Sequence, residues 1–106
     1  MHDTLTVINV FDVEPSKQQP LVELLTEGAE QVVRHRPGFV ALELLVSNDG
    51  TRVVNRARWR SLGDIKAAFE DPALQDYARR AGELARATPH VYSTAHRLSV
   101  SAAAAG

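Results

Sequence analysis

Asn55 and Trp59 stand four residues apart in the stretch Thr51-Arg-Val-Val-Asn-Arg-Ala-Arg-Trp59. On a β-strand that spacing puts an amide and an indole on one side, two pleats apart. Val53 and Ala57 share their face, while Arg52, Val54, Arg56 and Arg58 take the other. Two hydrogen-bonding groups aimed from an apolar wall are what a pocket for an apolar ring with a few polar substituents requires. An amide packed into such a face without a partner costs about 1–3 kcal/mol, so a strand interior seldom keeps one unpaired; for Asn55 the plain alternative is a bond to a neighbouring loop. Asn9 repeats the anomaly, flanked by Val7 and Phe11 on one face of an N-terminal strand. The plain alternative for Trp59 and Tyr77 is a place in the core, the commoner fate of large aromatics. From a helix, the Tyr77 hydroxyl could also reach a pocket between helix and sheet.

Other chemistries find little support. There is no nucleophile triad, no Walker pattern and no GxGxxG. His2, His35, His90 and His96 are scattered, without an HxH or HxxxH pair, and cysteine is absent, so no metal site is expected. A net charge of −1 and a pI near 6.4 argue against nucleic-acid or anionic-membrane partners. No segment approaches the ~20 apolar residues of a spanning helix. The start, Met1-His-Asp-Thr, lacks the features of a signal peptide, and a cytoplasmic protein is expected.

These side chains need a scaffold, and 106 residues with 44% hydrophobic content suit one small domain. Residues 4–13 alternate and are rich in β-branched types, a strand closed by Glu14-Pro15. A helix with Ser16 as candidate cap and Pro20 near its first turn carries the stripe Leu21, Leu24, Leu25, Ala29, Val32 and Val33, ending at Pro37-Gly38. Residues 39–47 and 51–59 form a hairpin around Asn48-Asp-Gly50, placing Glu43 within reach of Arg56 or Arg58. Ser61 and Asp64 have capping-box spacing, and Asp71-Pro72 begins a further helical piece with Leu74, Tyr77, Ala78, Ala81 and Leu84 inward. Thr88-Pro89 is expected to end that helix, and residues 91–100 alternate as a last strand. The pattern predicts an α+β fold of ferredoxin-like β-α-β-β-α-β type: a four-stranded antiparallel sheet with its helices on one face. The domain is expected to span 1–100, followed by a disordered Ala-rich tail at 101–106. The other sheet face, with Ile8, Val10 and Val54, is apolar enough to predict a homodimer.

Taken together, Pro37-Gly-Phe39, the Asn48-Asp-Gly-Thr51 turn, Val53-Val-Asn55-x-Ala57-x-Trp59-x-Ser61 and Asp71-Pro72 resemble the antibiotic biosynthesis monooxygenase family. The likeness covers roughly residues 4–98 and is greatest to the small quinone-forming members of aromatic polyketide pathways. It implies a dimeric α/β barrel that oxidises a phenolic or anthrone-like polyketide with O₂ and no metal, flavin or haem. In that chemistry the deprotonated substrate reduces O₂, and a peroxy adduct collapses to quinone and water. Asn55 and Trp59 become the candidate catalytic donors, with Asn9, Phe11, Val53, Phe69, Tyr77, Arg79 and His90 as candidate substrate-binding residues. Where the family carries a histidine, a tyrosine and an arginine, this chain has Leu45, Ile65 and Ala78 or Arg79; Tyr77, His90 or His96 are candidate replacements. Three alternatives stand beside this reading. One is a non-redox cyclase or isomerase in the same pocket, and another a binding protein without catalysis. The third is a haem-degrading monooxygenase, for which Asn9 and Trp59 fit but the histidine expected near Tyr77 or Ala78 is missing.

Overall fold

A computed structural model describes residues 4–100; the expected tail at 101–106 lies outside them. The chain runs β1 (Leu5–Val13), α1 (Pro15–Gln31), a 3₁₀ turn (Val33–His35), β2 (Phe39–Val46), β3 (Arg52–Trp59), α2 (Leu62–Phe69), α3 (Pro72–Gly82) and β4 (Ala85–Ser93). The four strands form one antiparallel sheet in the order β2-β3-β1-β4, the ferredoxin-like arrangement expected from the pattern.

Local chemistry accounts for most boundaries. The β2–β3 hairpin closes through Asp49, whose carboxylate accepts from the Ser47 hydroxyl and from both the hydroxyl and the amide of Thr51. Gly50 supplies the positive φ of 80° that the turn demands. Glu43 pairs with Arg56 across the strands. The Ser61 hydroxyl accepts from the Asp64 amide at 3.1 Å and donates to its carboxylate at 2.9 Å, starting α2. Asp71 caps α3 through the Ala73 amide, with Pro72 in the first position. At α1 the cap is Glu14 rather than Ser16, because Pro15 already occupies the first turn, and Pro20 lies within the helix.

The last strand departs most from expectation. It begins at Ala85, and residues 94–100 carry no regular structure. Thr88-Pro89 lies inside the strand instead of ending a helix. Because β4 is an edge strand with β1 as its one partner, it tolerates a proline whose missing N–H would point away from the sheet. The helix stops at Gly82, so Leu84 lies in the turn between α3 and β4 and packs beside the core.

All three helices cover the same face of the sheet, and two clusters fill the space between. One joins Val7, Ala57, Trp59, Ile65, Ala68 and Val33. The other joins Phe11, Val13, Val53, Leu21 and Ala81. Among the described residues, no helix is long and apolar enough to cross a membrane.

Candidate active site

The two core clusters are separated by a pair of asparagines. Along β1 the inward residues read Val7, Asn9, Phe11; along β3 they read Ala57, Asn55, Val53. The antiparallel register sets Asn9 directly opposite Asn55, so the two amides lie side by side. Both side-chain carbonyl oxygens are buried with no hydrogen-bond partner. Above them the helices present small groups, Gly28 and Ala29 from α1 and Ala78 and Ala81 from α3, and a cavity of about 410 Å³ opens there. That is within the ~300–1,000 Å³ range of small-molecule sites.

Trp59 closes one end of the cavity and is itself nearly fully buried. Phe39 meets its indole edge to face at 5.5 Å, which fixes the plane of the ring. Phe11 forms the opposite end, and Phe69, half exposed, stands at the mouth. Tyr77 contributes to the helical wall. Its ring lies against Gly28, where even a Cβ would come within 3.1 Å of it. The Tyr77 hydroxyl donates to the Glu27 carboxylate at 2.7 Å, and the Arg80 guanidinium sits 4.5 Å from the ring centre. That hydrogen bond to Glu27, reinforced by partial desolvation, raises the Tyr77 pKa above 10.

Six of the nine residues singled out from the sequence therefore line one cavity: Asn9, Phe11, Asn55, Trp59, Phe69 and Tyr77. Three do not. Val53 is on the right face but completely buried under Leu21 and Phe11, beyond the end of the cavity. Arg79 points outward from α3, held by Asp76 at 2.9 Å and Glu83 at 3.3 Å. His90 pairs in register with Ile8 on the outer face of the sheet, against Tyr92; the cavity takes Ala87 and Pro89 from β4 instead. His96 is exposed beyond the strand. The positions compared with the family's histidine and tyrosine are also away from the cavity, Leu45 on the outer face and Ile65 in the core. Among the described residues no cluster of three His, Asp or Glu is arranged to hold a metal. Sequence reasoning missed Gly28, Glu27 and Arg80. Gly28 carried a signal, since it falls on the Leu21-Leu24-Leu25 stripe; Glu27 and Arg80 read as solvent-facing charges.

Residues 4–80 match the model of the antibiotic biosynthesis monooxygenase family. The chain belongs to that family. It is 46% identical over 80 residues to tetracenomycin-F1 monooxygenase of Streptomyces glaucescens, covering 73% of this chain and 71% of that one. Among solved structures it superposes with a TM-score of 0.84 on the ActVA-Orf6 monooxygenase of Streptomyces coelicolor, solved with nanaomycin D. There the identity is 28%, with 93% of this chain and 94% of the other covered. SnoaB of Streptomyces nogalater, a cofactor-independent oxygenase, shares the fold with a TM-score of 0.72 at 23% identity, over 91% of this chain and 97% of SnoaB. This chain is thus a monooxygenase of the family, with the ferredoxin-like architecture of its relatives.

Proposed function

We propose that this monooxygenase oxidises a phenolic or anthrone-like aromatic polyketide to a quinone with O₂, without a cofactor, as a homodimer in the cytoplasm. The observation that carries the reading is the Asn9–Asn55 pair, two half-buried amides whose carbonyl oxygens are buried and unpaired beneath an apolar cavity. A flat aromatic ring fills such a space, and its phenolic oxygens supply the missing partners. Each amide offers one acceptor and two donors, so the pair can receive a phenol hydrogen and then donate to the phenolate. The Trp59 indole N–H is a third donor on the same wall. Donors already fixed where negative charge develops stabilise the enolate with little reorganisation.

The reaction balances on ring and O₂ alone. The deprotonated ring carbon gives electrons to O₂ and forms a C–O bond. The peroxy adduct then breaks its O–O bond, leaving one oxygen as the new carbonyl and releasing the other as water with the two hydrogens of the former methylene. The protein's part is to orient the ring, favour its deprotonated form and keep bulk water from it.

Turnover of dithranol, a hydroxylated anthrone, tests the assignment. Replacing Asn55→Ala is expected to lower kcat by about 10²-fold, the effect of deleting one oxyanion donor. An unchanged rate removes Asn55 from the mechanism.

A further inference from the structure

We propose that Glu27, acting through the Tyr77 hydroxyl, is the acceptor for the proton that the substrate loses. The inference rests on the oxidation reading above and adds the base which that reading lacks. Of the cavity-lining residues, Tyr77 alone has an ionisable side chain; the rest are apolar or carry amide or indole groups. A phenolic or anthrone substrate must nevertheless lose a proton before it can reduce O₂, and a group taking it must be within hydrogen-bond reach or one relay atom away.

Tyr77 is no base by itself near neutral pH, because its hydroxyl stays protonated while it donates to Glu27. That bond uses the hydroxyl hydrogen, and although Arg80 approaches the same oxygen, a phenolic oxygen has two lone pairs and can accept from a substrate hydroxyl as well. A substrate hydroxyl donating to Tyr77 would therefore complete a chain of three oxygens. The substrate proton passes to the Tyr77 oxygen as the tyrosine's own proton passes to the Glu27 carboxylate. The substrate keeps the electron pair as phenolate or carbanion, and no redox change occurs in this step.

Three features of the helical wall fit the role. Glu27 projects from α1 and its side chain is 56% exposed, so a proton it takes up has a direct exit to water. Arg80 lies 3.9 Å from the Glu27 carboxylate and 4.5 Å from the Tyr77 ring centre, so it touches both members of the pair and holds them in place. Asp76 in turn holds the Arg80 guanidinium at 3.3 Å. Gly28, next in sequence to Glu27, lets the Tyr77 ring approach α1 closely enough for the hydroxyl to reach the carboxylate. Simple helix pairing needs none of this polarity.

The test uses dithranol oxidation, read as O₂ uptake, with wild type and Asn55→Ala run alongside. Tyr77→Phe keeps the ring against Gly28, and Glu27→Gln keeps an acceptor for the tyrosine hydroxyl. Both are expected to lose about 10²-fold in kcat with KM within about twofold of wild type. Glu27→Asp should retain part of the rate, and Glu27→Ala should recover part of its loss when formate is added. If Tyr77→Phe and Glu27→Gln both turn over within twofold of wild type while Asn55→Ala is impaired, the relay is overturned and the oxidation reading stands. A Glu27→Ala loss that formate does not restore assigns Glu27 a structural role and likewise overturns it. Absence of O₂ uptake by wild type overturns the oxidation reading, and the relay with it.

Discussion

Asn9 and Asn55 each leave a carbonyl oxygen buried and unpaired, a cost of about 1–3 kcal/mol apiece that the free protein carries. A fold selected for stability alone would place leucine there and join its two core clusters into one. Asn9→Leu is accordingly expected to raise Tm by several degrees, since about 1 kcal/mol moves a domain of this size by roughly 4–8 °C. The same variant should lose most of its turnover. A thermal melt beside a rate measurement checks both, and a Tm that falls would mean that the asparagine is already satisfied in the free protein. The two-residue period of a strand was enough to pick out Asn9, Asn55 and Trp59. It could not separate Asn55 from Val53, which share a face but differ in what lies above them: a cavity over one, Leu21 over the other. Nor could it show that Asn9 faces Asn55, because β1 and β3 are distant in sequence and their register depends on the whole sheet. The Tyr77–Glu27 contact joins residues 50 apart on two helices, for the same reason invisible to local pattern.

Among the elements, those with turn or cap chemistry of their own were legible. The Asn-Asp-Gly hairpin, the Ser61–Asp64 box and the Asp71-Pro72 start all appear where their residues require them. The end of α3 and the start of β4 were not, because no strong stop signal separates them and Thr88-Pro89 imitates one; the sheet edge decides the matter instead. That misplacement carried His90 into the candidate list, since the true register turns its side chain to the outer face. The hairpin also makes a pH prediction. Hydrogen bonds first from the Thr51 hydroxyl, then from its amide and from Ser47, lower the Asp49 pKa from 3.8 to about 2. The folded pKa is depressed, so the stabilisation is complete above the unfolded value near 4 and is lost as pH falls towards 2. The protection of the Thr51 and Arg52 amides, measured against their intrinsic exchange rates, should fall through that window in wild type, and an Asp49→Asn variant should show no such step. Identical acid profiles for the two proteins would contradict the account of the turn.

The molecule as a whole has one finished face and one open one. Helices cover the inner side of the sheet, while on the outer side Val10, Val54 and Leu45 align across three neighbouring strands, with Leu45 47% exposed. A continuous apolar row on an uncovered sheet is a place for another sheet, and the proposed homodimer puts a second copy there. Val54→Asp should then shift the protein to monomer in light scattering while preserving the circular dichroism of the fold; a wild type that is monomeric at micromolar concentration would contradict the proposal. What the molecule is built to do is tested most directly by following O₂ and dithranol together in metal-chelated buffer. The account predicts uptake of one O₂ for each quinone formed, with one labelled oxygen from ¹⁸O₂ in the product carbonyl and no reaction under argon. Quinone formed at an undiminished rate under argon, or without oxygen from O₂, would contradict it.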